Sequence, residues 1–224
     1  MLNKDELDFV RSRLYFWDKL SDSEKATIEN NISKVTFSKG SIIHNNDNKC
    51  LGVLLIQDGE LSVSILSEDG REVSLYRLTS GDICILSASC ILNSITFDVQ
   101  IAAESETVAF LFNITAFSTL SNQNVYVENF AYRNTVERFS DIMWAIEQIL
   151  FKSFDKRLAI FLSDELSKSD STEIYLTHEQ IAKYTGSARE VVSRMLKLFQ
   201  SQGIIEQSRG FINVIDKNKL KKLI

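Results

Sequence analysis

Apolar and polar positions alternate in different rhythms along the chain, and the rhythm changes mark its elements. The first 35 residues read as helical, and Ser21-Asp-Ser-Glu24 has the form of a capping box. From Val35 to about Phe112 the pattern becomes short alternating or apolar runs separated by turns. Gly52-Val-Leu-Leu-Ile56, Leu61 to Ile65 and Glu72 to Leu75 are such runs, and Lys39-Gly40, Asp58-Gly59, Asp69-Gly70 and Ser80-Gly81-Asp82 punctuate them. Asp-Gly pairs suit turns that need a positive φ, and flanking β-branched residues suit strands. Turns about every ten residues predict a compact antiparallel barrel or sandwich.

A long helix is predicted from about Ser118 to Leu150. Tyr132, Val136, Phe139, Met143, Ile146 and Leu150 follow one another at spacings of four and three, a heptad-like seam suited to a parallel copy of itself. The plainer alternative is that this face lies on the β domain. Lys152-Ser153-Phe154-Asp155 reads as a break, with Ser153 or Asp155 available as a cap. A further helix carries Leu158, Phe161, Leu162 and Leu166 on one face and ends in the polar stretch Ser167 to Thr172.

Thr177 to Phe199 reads as two short helices about a tight turn. Thr177 with Gln180 forms one capping box and Ser187 with Glu190 a second; Gly186 permits the turn, and Ile181, Ala182, Val192 and Leu196 supply the core. Gln202 to Ile215 reads as a hairpin and Ile174-Tyr-Leu176 as a third short strand, which together predict a winged helix-turn-helix. Arg189, Glu190, Ser193 and Arg194 share the face opposite Val192 and Leu196, where arginine can fork to guanine and glutamate can accept from cytosine. Lys183, Lys197 and Arg209, with Thr177 and Ser187, are candidates for the DNA backbone. Taken singly, a cap for Glu190 and a solvated face for the arginines would suffice; with both caps, the turn and the wing, DNA reading is the stronger interpretation.

Charge at first opposes that interpretation and then supports it. The 224 residues carry 25 basic and 30 acidic side chains, a net charge of -5. From Thr177 to Ile224, however, nine basic residues face four acidic ones, leaving +5, so the remainder carries -10. No apolar run reaches the roughly 18 residues of a membrane helix and no signal-like start is evident, so a cytoplasmic chain without a membrane partner is expected. Cys50, Cys84 and Cys90 are too few for a disulfide framework, and His44 and His178 are the sole histidines, so no metal site or catalytic histidine cluster is expected. Clustered His and carboxylate ligands for an enzyme on a similar barrel are missing. Proline is absent altogether.

The succession of these glycine turns, a long helix and Arg189-Glu190-Val-Val-Ser193-Arg194 resembles the Crp/Fnr family of bacterial transcription regulators. The resemblance implies an α+β chain: an N-terminal antiparallel β-roll of jelly-roll type with flanking helices as sensor (1–117), a dimerisation helix and hinge (118–152), and a C-terminal winged helix-turn-helix (153–224). It implies a homodimer on a near-palindromic double-stranded DNA site, with RNA polymerase as a further partner and a small-molecule effector. It places base reading on Arg189, Glu190 and Arg194, with Ser193 at a position some branches also use.

Nucleotide-binding members carry Gly-Glu where this chain has Gly81-Asp82, followed about ten residues later by an Arg-Ser pair that holds the phosphate. Here no lysine or arginine occurs between Arg77 and Arg133, so cyclic AMP is not expected. Asp82 is left either to bind a sugar hydroxyl or to cap a turn. The effector, of unknown identity, is placed near Gly81, Asp82, Ile83, Cys84, Cys90, Phe130 and Asn134, in apolar surroundings. Three cysteines do not suit an iron–sulfur cluster and no motif supports haem. Two alternatives remain: a thiol redox switch through Cys84 and Cys90, which five residues separate, and a cyclic-nucleotide-binding regulatory module.

Overall fold

Two reciprocal caps open the chain. The Asn3 side chain accepts from the Glu6 N–H and the Glu6 carboxylate accepts from the Asn3 N–H, starting α1 (Lys4–Arg13). Ser21 and Glu24 do the same for α2 (Asp22–Asn30), as their spacing predicts. The helical region ends before residue 35, because Ile32 already pairs in β1 (Ile32–Phe37) with Phe112.

The computed structural model describes residues 2–44, 51–68, 70–85, 99–168 and 171–224. Within these the β region forms two four-stranded antiparallel sheets. One orders β1, β8 (Thr107–Asn113), β3 (Gly52–Asp58) and β6 (Ile83–Cys84); the other orders β2 (Ile42–His44), β7 (Gln100–Ala103), β4 (Leu61–Leu66) and β5 (Glu72–Leu78). Gly59 makes the β3–β4 turn at φ +93°, and a Cβ there would sit 2.5 Å from the Glu106 carbonyl oxygen. Only glycine fits that approach.

The predicted long helix is two helices. Asn113, the last residue of β8, caps α3 (Ile114–Gln123) by accepting from the Thr115 and Ala116 N–H groups, so helix begins before Ser118. Asn124 then turns extended and its amide donates to Glu24 at 2.8 Å, after which α4 (Val125–Phe151) starts. Helices and sheet enclose a first core that includes Val10, Phe16, Ile28, Phe110, Phe117 and Phe130.

The chain divides into two compact units, Met1–Ile65 with Tyr76–Asp141, and Leu66–Leu75 with Ile142–Ile224. The second therefore includes the far end of the β4–β5 hairpin. It also contains α5 (Phe154–Ser167), β9 (Glu173–Ile174), α6 (His178–Thr185), α7 (Arg189–Ser201), β10 (Ile205–Ser208), β11 (Phe211–Val214) and α8 (Lys217–Lys221). Its strands lie in the order β10, β11, β9, and Leu158, Leu162, Ile181, Val192, Leu196, Phe199 and Ile212 form its core. Among the described residues no helix is long and apolar enough to cross a membrane.

Candidate nucleic-acid interface

The helix-turn-helix is assembled from local caps. The Thr177 hydroxyl accepts from the Gln180 N–H while the Gln180 side chain accepts from the Thr177 N–H, starting α6 as expected. Gly186 ends α6 in the left-handed region, φ +59°, where its own N–H and that of Ser187 both donate to Ala182. That closure corrects the second expected box. Ser187 belongs to the end of α6, Ala188 is the residue that precedes α7, and no side chain caps α7. Glu190 remains in the first turn of α7, where the helix dipole favours a negative charge.

Packing then orients α7. Val192, Leu196 and Phe199 are buried, while Arg189, Glu190, Arg194 and Lys197 are exposed and Ser193 is half-buried. The four candidate base readers thus lie on the face away from the core. Arg189 Nε stands 4.0 Å from a Glu179 carboxylate oxygen with both side chains well exposed, a weak attraction that leaves the guanidinium available. Arg209 is exposed in the two-residue turn between β10 and β11. Thr177 is exposed but its hydroxyl serves the cap, and the Ser187 backbone serves the turn.

Lys183 has a different setting. Its Nζ lies 2.8 Å from the Glu72 carboxylate, and its side chain is only 15% exposed. Nearby, the Arg157 guanidinium donates to the Thr185, Ile149 and Lys152 carbonyl oxygens, joining the ends of α4 and α6. Burial lowers the Arg157 pKa, and three carbonyl acceptors offset that cost. Ser153 precedes α5 in extended conformation, but its side chain bonds to no helix N–H; the Asp155 carboxyl is held below its usual range chiefly by a hydrogen bond from Ser153.

The α4 seam is open. Tyr132, Val136, Phe139, Met143, Ile146 and Leu150 are all between 39% and 67% exposed, as is Trp144 at 52%, and Phe151 is 80% exposed. These apolar side chains run in one continuous stripe along the helix.

The proposed effector residues occupy several kinds of place in the first unit. Asp82 makes the contacts of a turn cap: it accepts from the Thr79 N–H at 2.8 Å and from its hydroxyl, with Arg138 3.8 Å away. Arg138 also lies 3.0 Å from Asp141 and over the Tyr76 ring, whose phenol burial pushes well above its usual value. The Arg13 guanidinium lies against Gly81, 2.9 Å from where a Cβ would be. Phe130 packs edge-on to Phe16 and against Tyr15, and Ile83 shares that core. Asn134 donates to the Phe130 carbonyl oxygen and Cys84 is buried in β6. Cys90 and Cys50 lie outside the described residues. Among the described residues no group of three or more His, Cys, Asp or Glu is placed to hold a metal.

Comparison with known proteins agrees with this geometry. The sequence model of the Crp-like helix-turn-helix domain matches residues 156–223, and that of the cyclic nucleotide-binding domain matches residues 34–124. A crystal structure from Eubacterium rectale, described as a transcriptional regulator of the Crp/Fnr family, is 42% identical, covers 95% of this chain and 98% of its own, and superposes with a TM-score of 0.91. The chain belongs to the Crp/Fnr family of transcription regulators. Family membership makes it a DNA-binding regulator and not an enzyme.

More distant similarities extend to one protein by sequence and one by fold. The cAMP-activated global transcriptional regulator Vfr of Pseudomonas aeruginosa is 24% identical over 178 residues, 75% of this chain and 82% of its own. A c-di-GMP-responsive global regulator from Xanthomonas campestris is 14% identical with a TM-score of 0.71, covering 88% of this chain and all of its own. Sequence reading of this Crp/Fnr regulator missed Arg157 and Glu72. Their partners lie up to 111 positions away; Glu72 is legible in the sequence only as part of the Asp69-Gly70-Arg71-Glu72 turn, and Arg157 stands in no motif.

Proposed function

We propose that this Crp/Fnr regulator binds a near-palindromic DNA site as a homodimer, with Arg189, Glu190, Ser193 and Arg194 of α7 reading base edges. The observation that carries the reading is the two-sided α7: an apolar face locked into the core and a polar face free to enter a major groove. Lys197 and Arg209, with Thr177, Ser187 and Lys183, take phosphates. The α4 seam pairs two copies, placing half-sites one helical turn, about 34 Å, apart. Residues 1–117 act as sensor, 118–152 as dimer helix and hinge, and 153–224 as reader, in a cytoplasmic protein that also meets RNA polymerase.

An effector in the sensor biases the pairing of the α4 helices, and the break near Ser153 redirects the readers. Cyclic AMP is not that effector in our reading: no basic residue lies between Arg77 and Arg133, and Asp82 is committed to its turn. Thermal shift with cyclic nucleotides and with apolar small molecules tests this; stabilisation by cyclic AMP alone overturns it.

Competition gel shifts test the reader. Arg189→Ala relaxes sequence preference by about 1–3 kcal/mol at one base pair, whereas Lys197→Ala weakens binding to all sequences and flattens the salt dependence. An R189A protein that keeps its full preference removes the assigned role.

A further inference from the structure

The end of the β4–β5 hairpin is acidic and shares a compact unit with the basic C-terminal segment. Residues 66–75 contain Glu68, Asp69 and Glu72 against Arg71 alone, whereas the chain from Thr177 onward carries +5. This acidic segment belongs to the same compact unit as the helix-turn-helix. Within that unit the Glu72 carboxylate meets Lys183 Nζ at 2.8 Å, with the two side chains only 26% and 15% exposed. Lys183 sits in the last turn of α6, the helix that in this motif crosses the DNA backbone.

The contact is held in place from two more sides. The left-handed turn residue Gly186 lies so close to Ile149 and Val73 that an added Cβ would fall 2.8 Å from Ile149 Cδ1 and 3.6 Å from Val73 Cγ1. Val73 is the neighbour of Glu72. Arg157 fixes the end of α6 to the end of α4 through the Thr185 and Ile149 carbonyl oxygens. A carboxylate therefore sits on this lysine in a partly dry and mechanically supported place.

We propose that Glu72 is an autoinhibitory phosphate mimic: it keeps Lys183 from the DNA backbone in this conformation, and activation requires the Glu72–Lys183 pair to open. The proposal rests on the DNA-reading function argued above and adds how that reader is held in check. With the pair closed, the protein thus binds DNA with one phosphate contact per protomer withheld.

The test uses the full chain and a fluorescent duplex of mixed sequence, with anisotropy read across salt concentrations. Wild type binds, which supports the reading itself. Glu72→Gln, which keeps the shape and removes the charge, steepens the salt slope by about 0.9 per engaged protomer and tightens binding about eightfold at 0.1 M salt relative to 1 M. Lys183→Gln abolishes the gain, so E72Q/K183Q binds as K183Q does. An unchanged slope in E72Q overturns the proposal while leaving DNA binding intact. The same gain in the K183Q background also overturns it, because the hairpin charge then acts on DNA directly. Failure of every variant and of wild type to bind any duplex refutes the underlying reading instead.

Discussion

Phe139 sits midway along the exposed seam of α4, and its truncation weighs the pairing of two copies directly. A phenylalanine side chain offers about 200 Å² of apolar surface. With 61% of Phe139 exposed in the single chain, about 120 Å² remains for a partner, worth about 3 kcal/mol at about 25 cal/mol per Å² if fully covered. Symmetry counts the loss twice, and alanine restores a small part, so Phe139→Ala costs the dimer about 5 kcal/mol at most and about half that if the ring is half covered. Half cover already loosens dimerisation about sixtyfold, at about 1.4 kcal/mol per decade. Sedimentation velocity over a concentration series reads this as a shift of the monomer–dimer midpoint. Because the ring is exposed in the single chain, monomer stability changes by less than about 0.5 kcal/mol. A midpoint that moves less than threefold, or a loss of folded monomer equal to the loss of dimer, refutes the assignment of the seam.

Three further consequences follow from particular contacts. Gly186→Ala forces a Cβ into the left-handed region beside Ile149 and lowers stability by about 1–3 kcal/mol; Ile149→Val, which removes the Cδ1 atom at 2.8 Å, restores only the steric share in denaturant titrations. The Glu24 carboxyl is held below 4.5, first by the Asn124 amide and then by Ser21. Its contribution is therefore present above about pH 4.5 and lost as pH falls through the lower folded value. Solvent screening keeps it small, and Glu24→Gln removes this part of the acid-side decline in thermal midpoint. Cys84 is 1% exposed in β6, so a thiol reagent labels it only on unfolding, as peptide mass spectrometry will show; native labelling would favour the redox-switch alternative.

Sequence reading succeeded where causes were local. The Ser21–Glu24 and Thr177–Gln180 caps, the Gly59 turn and the apolar side of α7 each depend on residues within a few positions. It failed where a distant or competing bond decided the outcome. Asn124 breaks the long helix with its amide on Glu24, 100 positions away, and Asn113 serves β8 and α3 at once. Ser187 has the spacing of a cap to Glu190, but the close of α6 at Gly186 engages its N–H first. Charge showed the same limit: the +5 of the last 48 residues was legible in the sequence, while the withdrawal of Lys183 behind Glu72 was not.

Selection of bound duplexes from a random library by the purified full-length chain tests most directly whether a dimer reads DNA through α7. The expected outcome is enrichment of two inverted half-sites with centres about 10 base pairs apart, and loss of preference at one position of each half-site in the R189A protein. Enrichment of a single unrepeated sequence, or of none, would contradict it.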